Sequence, residues 1–555
     1  MARMTGAEII IKCLEKKGIE TIAGIPGGAN LPLYSALYKS SIKHVLARHE
    51  QGAGFIAQGQ ARSTGKAAVC FATSGPGATN LFTAIADAKL DSIPIIGITG
   101  QVPSSMIGTD AFQEVDTYGM TLPITKHNFF VRSARELLTV MPEAFRVAES
   151  GRPGPVVIDV PKDVQKEEIE VDTLPDMNLS KDTPELDNDI IQQMADIINQ
   201  AKKPIMIIGG GVIASEAEKV IENFSHKNNI PVASTLMGLG AFDPDDNLYL
   251  GMLGMHGARY TNYLMDQADV VMGFGIRFDD RATGKVDEFC PNASIIHIDI
   301  DESEIDKIKN THLALVADVG QALEAMLPKI DANDRTDWIN TVNKIKSEHP
   351  LILPSGDDPF NPITVIQKIS ELADEDTIIT TDVGQHQMWT AQVYPFKKPR
   401  TWLTSGGSGT MGFGVPAAIG AALDNPDKKV ICISGDGSFL MNIQELATIA
   451  DLKPNLAVVI LNNAHLGLVR QQQELFYDGA YIGSKFESSP DFAAIAQGFG
   501  LPATDLTGSD DVAGELEAMI KETGPRIMNI PIHFAENVYP MVAPGAANTK
   551  MIGGE

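Results

Sequence analysis

The stretch GDGSFLMNIQELATIADLKPNLAVVILNN, residues 435–463, decides the fold. The run KKVICIS before it reads as a buried strand, and the GDG turn sets Asp436 at that strand's carboxyl end. In an open parallel sheet, ligands bind along this edge. Gly435 and Gly437 permit a tight turn and close backbone approach. SFLMNIQELATIA spaces Phe439, Ile443 and Leu446 for the buried face of a helix. The N–H groups at its start, around Ser438, can face a phosphate. NLAVVILNN is the next strand and delivers Asn462 and Asn463 to the same edge. A carboxylate and an amide oxygen met in this way form a hard-oxygen site suited to Mg²⁺ shared with phosphates. Each turn read singly is only a turn, but their coincidence at the ends of consecutive strands points to a site.

Outward from this stretch, the pattern of strand, Gly-rich turn and helix recurs. Residues 1–165 open with a helix over 5–17 that stops at Gly18. Strand-like runs then end in TIAGIPGG, KHVLARHE, AAVCFATSGPG and SIPIIGITG, with PGPVVIDVP closing the unit. Continuous apolar strands separated by helices predict a parallel sheet covered on both faces. The acidic, Pro-containing stretch 166–187 reads as a linker. A second alternating unit covers 188–345, and a third covers 360–535 after a break at 348–362. Residues 536–555 read as a tail that lies on the surface or folds over a site. The predicted class is α/β, with three domains each built on a mainly parallel sheet flanked by helices. Their similar size hints at a repeated architecture, although no internal identity is visible.

At 555 residues the chain is too long for one hydrophobic core. A formal charge of −27, with no basic arm or Lys/Arg cluster, argues against nucleic acid as a partner. Cysteines stand at 13, 70, 290 and 432 without zinc spacing, which reads as core residues in a reducing compartment. No apolar run reaches 18 residues and the N-terminus has no signal-peptide core, so no membrane span is expected and the cytoplasm is the expected location. Removal of an organellar presequence stays open.

The GDG…NN segment resembles the metal–diphosphate motif of thiamine-diphosphate-dependent enzymes. RHEQGAGFIAQGQAR (48–62), TSGPGATN (73–80), ITGQVPSSMIGTDAFQE (98–114) and TKHNFFV (125–131) narrow the resemblance. So do GMLGMHGARYTNY (251–263), GIRFDDRATGK (275–285), TTDVGQHQMW (380–389) and TSGGSGTMGFGVPAAIGA (404–421). Together they resemble the acetolactate synthase catalytic subunits over essentially the whole chain. The resemblance implies a pyrimidine-binding N-terminal domain over 1–165. It also implies a central FAD-binding domain over 188–345 and a diphosphate- and Mg²⁺-binding C-terminal domain over 360–535.

It further implies roles for single residues. Glu50, otherwise a plain helix-start residue, activates the aminopyrimidine of thiamine diphosphate across a subunit interface. Asp436 and Asn463 bind Mg²⁺ by side chain, and His465 by its backbone oxygen. Met411, otherwise core filler, wedges the cofactor into a bent form, and Gly409 offers a carbonyl to its amino nitrogen. Pro26, Gly27, Pro103, Phe112, Gln113 and Lys162 surround the cofactor and the substrate channel. The three glycines of KPIMIIGGGVIAS serve packing or a phosphate loop when read alone. The resemblance assigns FAD contacts to Gly210, Gly211, Met255, His256, Gly275, Arg277, Asp299 and Asp318. Arg281 meets the carboxylate of the second substrate, although by itself it is equally a partner for Asp279 or Asp280.

The implied reaction decarboxylates pyruvate and passes the two-carbon unit to a second pyruvate or to 2-oxobutanoate, in branched-chain amino acid biosynthesis. It has no net redox change, which leaves the flavin without an electron-transfer task. Most of the family carries Trp where this chain has Gln472, a pattern resembling the enterobacterial isozyme I type, so weak discrimination between the two acceptors is expected. A homodimer or homotetramer with interfacial sites and a small regulatory subunit are implied partners. Three alternatives remain: another thiamine-diphosphate-dependent carboligase or decarboxylase, a pyruvate oxidase, and a non-enzymatic flavin-binding scaffold. Glyoxylate carboligase lacks the acid at the Glu50 position, and a degenerate scaffold would lack Glu50, Asp436 or Asn463.

Overall fold

The structure, a computed structural model, describes residues 2–180, 184–353 and 358–554. Residues 181–183 of the expected linker, 354–357 of the expected break and the last residue of the tail lie outside the described residues. Three six-stranded sheets form the frame, each with parallel strand pairing. Their strands are enclosed by helices on both faces. Ala68–Ala72 and Val430–Gly435 are buried at every position, as continuous apolar runs require. Cys70 and Cys432 sit fully buried in these strands, and all four cysteines are free and buried.

The first sheet runs Lys43–Leu46, Thr21–Gly24, Ala68–Ala72, Ile95–Gln101, Val156–Pro161, His127–Phe130. Numbered by chain position, its order is 2-1-3-4-6-5. The third sheet runs Trp402–Leu403, Ile378–Thr381, Val430–Gly435, Leu456–Asn462, Arg526–Pro531, Ala503–Asp505, which is the same order. The central sheet differs. It runs Tyr249–Met252, Val232–Ser234, Pro204–Ile208, Val270–Phe274, Ser294–Asp299, Leu313–Val316, or 3-2-1-4-5-6. That is the order of dinucleotide-binding sheets, with a crevice where it reverses beside the first strand. The hint of one repeated architecture therefore holds for the outer two sheets and not for the middle one.

The first helix, Gly6–Lys17, begins with a capping box between Thr5 and Glu8 and ends at Gly18 with φ +86°. Part of the stretch read as linker is ordered sheet. Glu168–Val171 pairs antiparallel with Ala2–Thr5, because alternation in EIEV turns Ile169 and Val171 to the first domain's core. In the tail, Met541–Val542 pairs with Met551–Ile552, and Met541 and Val542 pack on Met255. The tail thus folds over the central domain.

The outer two domains meet through helices Glu50–Thr64 and Gly414–Asp424. A Cβ on Gly59 would stand 2.0 Å from the Ala417 carbonyl oxygen, and one on Gly420 would stand 1.9 Å from that of Ile56. Glycine at both positions lets the backbones touch, and one hydrophobic cluster runs through both domains. Phe55 and Phe413 seal the crossing edge to face at 5.4 Å. Helix propensity alone favours Gly420→Ala by about 1 kcal/mol, whereas overpacking here costs about 1–3 kcal/mol or more. Gly420→Ala is therefore expected to lower the thermal unfolding midpoint, and an unchanged or raised midpoint would show that the helices can part without cost.

Candidate active site

Asp436 follows strand Val430–Gly435 and opens the short helix Asp436–Phe439. Its Oδ1 accepts the Gly437 N–H at 2.9 Å, while its Oδ2 is buried without a hydrogen-bond partner. Burial pushes the carboxyl up to about 6, against the pull of backbone N–H groups from Gly437, Ala464 and His465. The neighbouring strand Leu456–Asn462 pairs Leu461 with Gly435, so Asn462 and Asn463 come off beside Asp436. Asn463 Oδ1 accepts the His465 N–H at 3.0 Å, and the His465 Nδ1 lies 2.8 Å from the Asn463 carbonyl. The imidazole stacks on Phe534 at 5.3 Å. A buried, unsatisfied carboxylate oxygen beside amide and carbonyl oxygens fits a hard divalent cation. Among the described residues no cluster of three His, Cys, Asp or Glu side chains competes for one.

Two residues of this edge escaped the sequence reading. Asp382, at the end of strand Ile378–Thr381, is buried and accepts the N–H groups of Gly412 (2.8 Å) and Gly414 (3.0 Å). It thereby fixes the turn that carries Met411. His386 has a buried, unpaired Nε2, burial pushes it down to about 3, and its ring lies where a Cβ of Gly435 would stand, at 2.9 Å. The signal was present in TTDVGQH: an acid at a strand end followed by glycine, the same pattern as GDG.

The carboxyl edge of the first sheet collects a second group. Glu50 is the first residue of its helix, is 9% exposed, and its Oε2 accepts from the Asn80 amide at 3.0 Å. Pro26 and Gly27 follow strand Thr21–Gly24, and Gly27 lies so close to Thr73 that a Cβ would overlap it at 2.6 Å. Gln113 adopts φ +62° against Gly75, where a Cβ would come within 2.9 Å of the Gln113 Cα. Phe112 beside it is 87% exposed. Pro103 precedes the turn Ser104–Met106, and Lys162 begins the helix after Val156–Pro161.

The third feature is a cavity of about 1080 Å³ at the reversal point of the central sheet. All eight residues assigned to FAD line it: Gly210, Gly211, Met255, His256, Gly275, Arg277, Asp299 and Asp318. His256 is buried with an unpaired Nδ1 and is pushed down to about 4, whereas burial pushes Asp299 up to about 6. Asp318 caps helix Val319–Met326 and accepts from Ser215 at 2.8 Å. The glycine run serves both readings. Gly211 stacks on Gly275, with a Cβ only 2.5 Å from its Cα, while Gly210 has no atom closer than 3.4 Å. Arg152, passed over in GRPGP, also lines the cavity and bonds Asp301 at 3.1 Å.

Gly409, Arg281 and Gln472 share this cavity. Arg281 forms only a long, solvent-exposed ion pair with Asp280. Its side chain is 63% exposed, with Asp280 at 3.7 Å and the Met255 sulfur at 3.3 Å. Glu50, Pro26, Gly27, Phe112, Gln113 and Lys162 do not line the cavity, and neither do Asp436, Asn463, His465 or Met411. One chain therefore brings Arg281, Gln472 and Gly409 together and leaves the Glu50 group and the Asp436 group on separate sheet edges.

Residues 4–120, 191–326 and 382–530 match, in turn, the N-terminal TPP binding, central and C-terminal TPP binding domains of thiamine pyrophosphate enzymes. The acetolactate synthase isozyme 1 large subunit of Escherichia coli (strain K12) is 54% identical over 552 residues, covering 99% of this chain and 98% of that one. The isozyme 2 large subunit of the same organism is 43% identical, covering 99% of each chain. A chloroplastic acetolactate synthase of Nicotiana tabacum is 45% identical over 99% of this chain and 84% of its own. With matches of this extent to all three domains, the chain belongs to the acetolactate synthase large subunits of the thiamine-pyrophosphate enzyme family.

Proposed function

We propose that the protein is an acetolactate synthase that decarboxylates pyruvate and joins the remaining two-carbon unit to a second pyruvate or to 2-oxobutanoate, within branched-chain amino acid biosynthesis. The observation that carries this reading is the unpaired, buried Asp436 oxygen at the carboxyl edge of a sheet matched to a TPP-binding domain. Asp436, Asn463 and the backbone oxygen of His465 hold Mg²⁺. The N–H groups at Gly437 and Ser438, with the unpaired His386, face the diphosphate. Bound thiamine diphosphate supplies the carbon nucleophile and the electron sink for decarboxylation.

The chain's own groups do the rest. Glu50, oriented by Asn80, shares a proton with the pyrimidine ring nitrogen. Gly409 at φ +61° would offer its carbonyl to the amino group of the bound cofactor, and Met411 would pack against it. Arg281 pairs with the carboxylate of the acceptor acid, beside Gln472 on helix Gly467–Phe476. Phe112, Gln113, Lys162, Pro26 and Gly27 line the approach. Glu50 and Asp436 stand on the edges of different sheets and neither lines the central cavity, so a partner subunit completes each site. The exposed Leu31, Met106, Phe112, Met120, Leu122 and Met441 support such an interface. The central cavity would hold FAD as a structural group, between Gly210, Gly211 and Gly275 and the side chains of Arg277, Asp299 and Asp318. A homodimer is the minimal assembly and a homotetramer a larger one. The name "large subunit" borne by relatives supports a smaller regulatory partner here too. No helix among the described residues is long and apolar enough to cross a membrane.

The cavity's shared wall with Gly409 favours one second reading, a pyruvate oxidase. Incubation with pyruvate, Mg²⁺ and thiamine diphosphate, with and without FAD, separates the two. Acetolactate with CO₂ is expected, and oxygen consumption matching CO₂ without acetolactate would overturn the proposal. Asp436→Asn should weaken Mg²⁺-dependent cofactor uptake by calorimetry while leaving the thermal midpoint near that of the parent; undiminished uptake would remove Asp436 from the metal site.

Glu50→Gln should slow C2 proton exchange of bound thiamine diphosphate about a hundredfold or more, and exchange at the parental rate would refute its role. Gln472→Trp should raise the 2-oxobutanoate:pyruvate product ratio in direct competition, by about tenfold given about 1–3 kcal/mol for one methylene in an apolar pocket. An unchanged ratio would detach residue 472 from acceptor choice.

A further inference from the structure

The two catalytic turns of one chain are each gripped by a carboxylate from the opposite domain. Glu445, in the third domain, is fully buried, and its Oε1 accepts the N–H groups of Arg48 at 3.0 Å and His49 at 3.1 Å. Its Oε2 accepts from the Thr448 hydroxyl at 2.6 Å. Asp91, in the first domain, accepts the N–H groups of Gly406 at 2.9 Å and Gly407 at 2.6 Å, and its side chain is fully buried. Arg62 bridges Asp91 at 2.8 Å and Asp87 at 3.3 Å, and Asp87 accepts the Thr410 hydroxyl at 2.7 Å.

The two arrangements correspond. Each gripped turn follows the second strand of its sheet and leads into the helix of the Gly59–Gly420 crossing. Each gripping acid follows the third strand. Glycine admits the acid in both cases: a Cβ on Gly52 would stand 2.4 Å from Glu445 Oε1, and one on Gly407 would stand 3.0 Å from Asp91 Oδ1.

We propose that Glu445 and Asp91 are reciprocal positioning residues, Glu445 fixing the turn that aims Glu50 and Asp91 fixing the loop that carries Gly409 and Met411. The inference rests on the proposed roles of those three residues. A charge-assisted pair of backbone hydrogen bonds is short and directional. The His49 N–H lies one residue before Glu50, so holding it holds the origin of the Glu50 side chain. Docking of the domains is already served by the helix crossing. The carboxylates instead reach turns, where a misplacement of about 1 Å costs about a hundredfold in rate.

The test uses the full-length protein and separates reach from charge. Glu445→Gln keeps an oxygen at the same reach, Glu445→Asp keeps the charge and withdraws the oxygen, and Glu445→Ala removes both. C2 proton exchange is read per bound thiamine diphosphate, so loss of folded protein does not register. Amide hydrogen exchange of peptides over 46–52 and 436–440 is read in the cofactor-free protein. The Gln variant is expected to stay close to the parent. The Asp and Ala variants should slow C2 exchange about tenfold to a hundredfold, with the pyruvate KM little changed, and expose 46–52 while 436–440 stays protected. Asp91 accepts with both oxygens, so Asp91→Asn, which turns one of them into a donor, should expose peptides over 405–411. Parental C2 exchange and parental protection of 46–52 in the Asp variant would overturn the proposal. Glu50→Gln, run beside them, tells the failures apart: if it too exchanges at the parental rate, the role of Glu50 has failed rather than the clamp.

Discussion

Where helices Glu50–Thr64 and Gly414–Asp424 cross, Gly59 faces the carbonyl of Ala417 and Gly420 faces that of Ile56, with no room for a side chain at either. Two domains with the same strand order are thereby joined by the corresponding helix of each. The catalytic candidates stand just before those helices: Glu50 at the start of one, Gly409 and Met411 in the loop leading to the other. Any change in the crossing moves both at once. The buried acids around it tie the same turns to the same interface, so the distance between the two half-sites of a chain is set by backbone contact and not by flexible side chains.

The arrangement explains why three sheets are needed. The outer sheets supply the two candidate catalytic edges, one carrying Glu50 and the other Asp436. The central sheet reverses strand order beside Pro204–Ile208 and opens a crevice there; the outer sheets reverse between their first and third strands, where Asp382 and Asp436 leave the third sheet. Tail residue Met541 and loop residue Gly409 come to the wall of that crevice from the third domain. The tail also covers Met255, whose sulfur lies beside Arg281.

Much of this was legible from sequence because strand ends and glycine turns are local signals. GDG, the NN pair and the RHE turn each follow an apolar run, and each lies at a carboxyl edge. The α/β class followed from the same runs. What was not legible is long-range. Nothing in the acidic run at 166–171 reveals that its alternation pairs it with residues 2–5. Asp382 has its local signal in TTDVGQH, but its grip on N–H groups about 30 residues away does not show there. Glu445 acts through a turn in another domain without any local motif. Strand order is equally silent. Apolar runs specify that strands are buried, not which neighbours they take, and so the outer and central sheets looked alike.

The proposed flavin would have no electrons to carry in a reaction without net redox change, but the cavity proposed for it shares a loop with the catalytic candidates. The loop from Gly406 to Gly409 forms one wall of the central cavity, and its backbone continues directly to Met411. The same loop is held by Asp91, which also lines the cavity, and by Asp87. A rigid group bound there would bear on the loop and on the Asp91 that grips it, limiting movement of the Gly409 backbone. An empty, solvated cavity would leave the loop constrained by those carboxylates alone. A cofactor without a redox task would then be retained for its shape, because its removal would loosen the carbonyl proposed to meet the thiamine amino group.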